Sequence, residues 1–197
     1  ASPETLLKTD GNKFRTMSLA GTQKYKGNLQ VSWGEKERKE QEIVTKHIVS
    51  SLEEVSIATG DTYTKKAGNL LHLCNDITGT LSSEINLSAL ITKLHPTAAV
   101  CGLAKEEAKE FIKDHEGYNR SFYTGFVGEL NRQLPEGDGT ALKSNLFVNL
   151  RCMEVVFQPV LQAVLYVGGG ITAGSEPEAE WEETVAKSLV MKSVLYK

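Results

Sequence analysis

The sequence predicts an α+β fold, a largely antiparallel sheet covered by helices, and three observations carry that prediction. A hairpin signal stands near the N-terminal end, with strand-like segments on either side of Asp10-Gly11. Helical periodicity then recurs in three segments before residue 116. Further strand-like segments follow one another up to a last, glycine-led helix. With 197 residues, 40% hydrophobic and 24% charged, the chain has the size and composition of one globular domain with a sizeable core. It carries no internal repeat, low-complexity tract or clear linker.

Taken in order, segments 4–7 and 13–19 form the expected hairpin, and Ala20-Gly21-Thr22 ends its second strand. A polar loop rich in Lys and Gly leads to a helix over 35–56, with Ile43, His47, Ile48, Leu52 and Val55 on one side. Segment 67–73 reads as a strand. Segment 86–94 reads as a short helix capped by Asn86, and it must end before Pro96, which restricts the residue preceding it. Segment 105–115 is an amphipathic helix with Ala108, Phe111 and Ile112 as its apolar side. Segments 123–131, 145–157 and 161–168 read as strands, and the polar insert 133–144, with its Pro-Glu-Gly-Asp-Gly, reads as a loop. In 168–187 a glycine turn precedes a helix for which Ser175 and Glu178 suggest a capping box, with Pro177 tolerated in the first turn.

Composition excludes several functions. A net charge of −3 gives no reason to expect nucleic acid or an anionic membrane as partner. No apolar run approaches the roughly 20 residues of a membrane span, and nothing resembles a signal peptide. Cys74, Cys101 and Cys152 are odd in number and lack metal-ligand spacing, so reduced thiols in a cytoplasmic protein are expected. The chain opens on Ala1-Ser2-Pro3-Glu4 and reaches a strand-like segment at once. It is therefore expected to be a piece of a longer polypeptide, cut inside a folded domain.

Two Glu-x-x-Glu pairs, Glu37/Glu40 and Glu180/Glu183, fall on expected helices. Hard oxygen ligands without His or Cys favour Mg²⁺. Glu180, Glu183 and Lys187 follow at i, i+3 and i+7 and so share a helix face. Gly168-Gly169-Gly170 before that helix leaves backbone N–H groups free to meet an anion. Arg151 interrupts an apolar strand, so it must be edge-exposed, paired, or aimed at a ligand carboxylate. His72 and His95 lie beside apolar residues, where a hydrogen-bonded structural histidine is the ordinary role. No GxSxG, P-loop or dinucleotide fingerprint is present.

Six motifs in order resemble the chorismate-utilising enzymes: SPE at 2–4, LAGT at 19–22, EKERKEQEIV at 35–44, LHPTAAVCG at 94–102, RSFYTGFVGE at 120–129 and GGGITAGSEPEAEWEETVAK at 168–187. Within that family the likeness is greatest to isochorismate synthases. The resemblance implies that residues 1–197 are a partial chorismate-binding domain, truncated at its N-terminal side, from an α/β sandwich like that of anthranilate synthase component I. It implies that Glu4 protonates the departing C4 hydroxyl of chorismate. It implies that Glu40 and Glu183 bind Mg²⁺ while Glu37 and Glu180 hold the metal's waters. Gly21 and Thr22 would approach the ring carboxylate. Arg151, the amides around Gly168 and Gly170, and Lys187 would bind the enolpyruvyl carboxylate. His72 and Tyr123 would line the pocket.

Ala20 stands where aminodeoxychorismate synthases usually carry Lys, and Ala99 resembles isochorismate rather than salicylate synthases, which tend to have Thr there. Anthranilate synthases usually read HPAGTVSG, unlike this chain. Salicylate synthase, and a non-catalytic chorismate- or metal-binding fragment, are the alternative readings. The sequence departs from the family's usual pattern at Gln41, Ala98, Ser121 and Gly169. The Lys that activates the attacking water in this family lies upstream of SPE, outside the chain. An isolated fragment is therefore expected to be inactive and to expose apolar surface that the missing N-terminal half of the domain would cover. Menaquinone and catechol siderophore routes both remain open.

Overall fold

The computed structural model describes residues 4–53, 55–81, 86–136, 139–157 and 159–195. Strands β1 (Glu4–Asp10) and β2 (Lys13–Lys24) form the expected hairpin, closed by Gly11-Asn12 with Asp10 opposite Lys13. β2 pairs with β5 (Leu70–Thr80), which also carries β3 (Ser56–Thr59) and β4 (Tyr63–Ala67) along two parts of its other edge. On the far side β1 pairs with β7 (Gly139–Val148), and β7 with β6 (Phe126–Glu136). The result is a seven-stranded antiparallel sheet, with β8 (Cys152–Val156) and β9 (Gln162–Tyr166) forming a separate two-stranded one.

Helix α1 (Glu35–Ser51) buries Gln41, Val44 and Ile48 against the sheet, and Leu52 and Val55 extend that line. The buried face is thus turned slightly from the expected one, with Ile43 and His47 only half-buried. Glu35 and Glu37 in its first turn complement the helix dipole. α2 (Leu87–Leu94) is capped as expected, the Asn86 side chain accepting from the Ala89 N–H at 2.9 Å, and its Leu90 and Leu94 enter the same core. That core joins Leu6, Leu7, Phe14, Ile77, Leu146 and Val148 of the sheet to α1 and α2.

Several elements differ from expectation. Segment 67–73 is not one strand: Gly68, at φ +64°, and Asn69 make the turn between β4 and β5. Segment 133–144 is mostly ladder rather than loop, since β6 and β7 pair through Gln133 and Leu142. Backbone hydrogen bonding sustains such a ribbon without an apolar pattern, and residues 131–133 are exposed. Segment 145–157 breaks between β7 and β8, with Arg151 at φ +47°. The strand expected from Tyr123 begins at Phe126, leaving Tyr123 in a turn. α3 (Lys105–His115) forms, but none of its residues is buried, and Phe111 stacks on His115 instead. α4 (Pro177–Leu195) starts too late for Ser175 to be its cap. Ser175 Oγ accepts from the Thr172 N–H at 3.0 Å, tightening the turn before the helix.

Gly128 in β6 has φ +154°, and a Cβ there would overlap the Asn145 carbonyl oxygen of β7. Gly128→Ala should therefore destabilise the protein by about 3 kcal/mol, read as a lower thermal midpoint; an unchanged midpoint would show that the two strands can part.

Candidate active site

Glu4 opens β1 opposite Val148, near the end of β7, and three residues later the chain turns at Arg151. Both side chains are buried. Burial pushes the Glu4 carboxyl up to about 8, against the opposing pull of the Lys65 and Arg151 cations. Burial also lowers the pKa of Arg151, while Glu4, Glu183 and Tyr123 work the other way. Among the described residues the Arg151 guanidinium makes no hydrogen bond.

His72 lies on β5, 3% exposed. Its Nδ1 is 2.9 Å from the Gly21 carbonyl oxygen and 3.4 Å from Thr22 Oγ1. Burial lowers its pKa to about 4, so the ring is neutral at neutral pH. With Nδ1–H donating to Gly21, Nε2 is an acceptor, and it is buried without a hydrogen-bond partner among the described residues. An orphaned acceptor of this kind is set to meet a donor from a ligand.

The two Glu-x-x-Glu pairs approach one another from α1 and α4. Burial and the Glu183 charge together raise the pKa of Glu40, whose carboxylate accepts from the Gly21 N–H. Glu183 pairs with Lys187 at 2.6 Å, and Lys187 also donates to the Gly168 carbonyl oxygen at 2.9 Å. Glu180 is buried and pairs with Lys36 at 3.0 Å. Burial pushes Glu180 up, but hydrogen bonds from Ser175 and Lys36 outweigh it and hold it low. Glu37 folds its carboxylate over Gly34 and its stem against Gly21. Among the described residues, no three His, Cys, Asp or Glu side chains form a ready-made metal cluster. What is present is a set of hard oxygen donors from two helices, of which Glu40 and Glu183 repel each other. That suits a cation taking one or two protein carboxylates and drawing its other ligands from water or substrate.

The glycine turn fits tightly around this group. A Cβ on Gly168 would lie 2.5 Å from the Tyr123 hydroxyl, and one on Gly170 would lie 3.2 Å from Glu40 Oε1. At Gly169 a Cβ would meet only ordinary contacts, so this departure from the family's usual residue costs nothing sterically. Tyr123 is buried, stacks on Tyr166 and has its pKa pushed up to about 12 by burial. Ser121, another departure, sits at φ +51°, a conformation in which glycine is the easier residue. Gln41 has a structural place, donating through Nε2 to Ser18 Oγ and Asn75 Oδ1. Ala99 packs partly buried against the main core.

Glu4, Gly21, Thr22, His72, Arg151, Glu40, Glu183, Glu180, Gly168, Gly170, Tyr123 and Lys187 are thus linked through one another, and Glu37 joins them at Gly21. Sequence reasoning missed Lys36 and Lys65. Lys36 could have been found, since it sits within EKERKE one turn from Glu40. A cavity of about 620 Å³ opens beside Tyr123, between Asn149, Cys152, Met153, Tyr166 and Met191, but none of the charged pocket groups lines it. The described helices contain none long and apolar enough to cross a membrane.

Residues 1–196 match the chorismate binding enzyme family. Isochorismate synthase EntC of Escherichia coli is 31% identical over 98% of this chain, and MenF of Bacillus subtilis 33% identical over 99%. Those alignments cover 50% and 41% of the two relatives, so the chain spans about half their length or less. Among solved structures, the menaquinone-specific isochorismate synthase MenF of Escherichia coli superposes with a TM-score of 0.81 at 26% identity, over 98% of this chain and 44% of that one. A putative 2,3-dihydroxybenzoate-specific isochorismate synthase, DhbC of Bacillus anthracis, gives 0.80 at 26% identity, over 99% and 52%. Anthranilate synthase component I of Streptococcus pneumoniae, at 19% identity over 95% of this chain and 42% of that one, shares the fold with a TM-score of 0.73. A buried acid, a buried Arg151 and facing carboxylates in this fold, with a family match along nearly the whole chain, identify it as a member of the chorismate binding enzymes.

Proposed function

We propose that this chain is the part of an isochorismate synthase that carries the proton donor, the metal ligands and the enolpyruvyl-carboxylate site. The reaction converts chorismate to isochorismate, adding water at C2 and losing the C4 hydroxyl. The observation that carries this reading is Glu4, a buried carboxyl that keeps its proton up to about pH 8 beside two cations. The proposed setting is cytoplasmic, in keeping with three unpaired cysteines, and the proposed route leads to menaquinone or a catechol siderophore, in keeping with the relatives' names.

In this reading Glu4 gives its proton to the departing C4 hydroxyl, which leaves as water. A second water attacks C2 and yields its proton to a base that lies outside this chain. Protons balance and no electrons change hands. Arg151, without a hydrogen-bond partner among the described residues, takes the enolpyruvyl carboxylate in a two-pronged grip, assisted by Lys187 and the amides around Gly168 and Gly170. Nε2 of neutral His72 accepts from a substrate hydroxyl. Glu40 and Glu183 would hold Mg²⁺, with Glu37 and Glu180 beside its waters; when bound, the ion supplies positive charge to anchor the ring carboxylate near Gly21 and Thr22. Phe157, Leu161, Val164, Ile171 and Trp181 are exposed, apolar surface that the further length present in the relatives would cover.

Given chorismate and Mg²⁺, the complete protein should form isochorismate, followed by chromatography. Recovery of salicylate with pyruvate, or of an amino product, overturns the assignment. Glu4→Gln should keep chorismate binding but lose conversion by at least about 10²-fold, because an amide cannot deliver the proton. Glu183→Ala should raise the Mg²⁺ needed for half-maximal activity; an unaltered Mg²⁺ dependence removes Glu183 from the metal site.

Without substrate, folded Glu4 holds its proton to about pH 8, whereas the unfolded group releases it near 4.5. Its contribution to stability is full below 4.5 and is lost as pH rises to about 8. Relative to wild type, Glu4→Gln should thus gain thermal stability steadily from about pH 5 to about pH 8. A constant difference across that range would mean that Glu4 ionises normally.

A further inference from the structure

We propose that Gln41 is a positioning residue for Glu40: its side-chain amide ties the first two turns of α1 to β2 and β5, and so fixes where the helix holds the Glu40 carboxylate against the glycine turn. This rests on the reading of Glu40 as a metal ligand. Glu37 and Glu40 stand on a stretch, Glu35 to Gln41, that contains no apolar residue. Among the described residues of α1 the first buried side chain is Gln41, at 3% exposed, and Val44 and Ile48 follow it. The half of the helix that carries the carboxylates therefore meets the sheet through an amide rather than an apolar side chain.

The neighbouring hydrogen bonds fix the direction of that amide. Asn75 Nδ2 donates to the Gly60 carbonyl oxygen at 3.0 Å and to Thr62 Oγ1 at 2.9 Å, so Asn75 turns Oδ1, an acceptor, towards Gln41. Thr45 Oγ1 donates to the Gln41 carbonyl oxygen at 2.9 Å. The Ser18 hydroxyl, 2.7 Å from Thr45 Oγ1, therefore donates to Thr45 and keeps a lone pair for Gln41. Both Gln41 Nε2 protons are then taken, by Asn75 Oδ1 at 2.8 Å and Ser18 Oγ at 2.9 Å. Bonds to two different strands oppose both sliding and rotation of the helix. One turn earlier the Glu37 stem lies against Gly21, where an added Cβ would be 3.0 Å from the Glu37 Cβ. Glu40 stands between these two footings, and its Oε1 lies 3.2 Å from the place of a Gly170 Cβ. Gln41 Oε1 is buried without a hydrogen-bond partner among the described residues, so packing alone would be better served by an apolar side chain.

The test uses the complete protein and Mg²⁺ alone, with binding followed by titration calorimetry. Gln41→Met keeps the length of the side chain without its donors and should bind Mg²⁺ about tenfold more weakly. Ile48→Ala, which opens a cavity further along the same helix, should lower the thermal midpoint but bind Mg²⁺ as wild type does. Equal weakening by the two variants at matched loss of stability would mean that Gln41 only holds the fold together, which overturns the proposal. Unchanged Mg²⁺ binding in Gln41→Met overturns it too. A second readout needs no metal. In Gln41→Met the backbone amides of residues 39–41 should exchange with solvent about tenfold faster, while those of 46–49 keep their protection. Unaltered exchange at 39–41 overturns the proposal. Mg²⁺ binding that survives Glu40→Gln refutes Glu40 as a ligand, while the exchange readout still decides whether Gln41 holds this segment.

Discussion

A carboxyl group buried at the start of β1, with Lys65 and Arg151 as its cations, is the constraint on which the site depends. A lone carboxylate in such surroundings is costly, so the group keeps a proton that an exposed glutamate would have lost. Its place follows from the sheet. β1 is an inner strand between β2 and β7, and Glu4 pairs with Val148 just before the chain leaves the ladder. At that exit Arg151 takes a left-handed conformation, and its buried guanidinium is within electrostatic reach of Glu4. The same hairpin and sheet set His72 over Gly21 and Lys65 beside His72. The antiparallel ladder therefore fixes the acid, Lys65 and the neutral acceptor, and the turn at its end places Arg151.

The second wall is built against the usual logic of a surface helix. α4 turns Glu180 inward, at 8% exposed, while Trp181 is 67% exposed and Val194 65%. Burying carboxylates and exposing a tryptophan is unfavourable for a helix meant only to complete a core. Each inward charge has an opposite partner: Lys36 reaches across from α1 to Glu180, and Lys187 meets Glu183 one turn along. Glu40 and Glu183 act on each other as like charges, and burial together with the Glu183 charge raises the pKa of Glu40. A hard cation at this point would relieve that repulsion.

Much of this was legible in the sequence because the signals are local. The hairpin turn, the α1 periodicity, the Asn86 cap and the i, i+3, i+7 spacing of Glu180, Glu183 and Lys187 each depend on neighbours within a few residues. The order of six motifs then tied them to a family. Less legible was whatever depends on strand pairing. The β6–β7 ribbon holds together by its ladder and so lacks the apolar alternation by which strands are recognised. Gly68-Asn69 is a hairpin signal inside an apolar run and was absorbed into it. Ser175 matched a capping pattern, yet its hydroxyl serves the preceding turn. Lys65 gained its place only from register opposite His72, which no spacing along the chain encodes.

The central claim is that Glu4 is a proton-bearing acid at neutral pH, and its carboxyl carbon reports this directly. In protein carrying ¹³C-labelled glutamate, the resonance assigned to Glu4 by its loss in Glu4→Gln should titrate near pH 8 in the substrate-free state. Titration near the ordinary value of 4.5 would contradict the role of Glu4 as the buried donor on which the rest of the site is arranged.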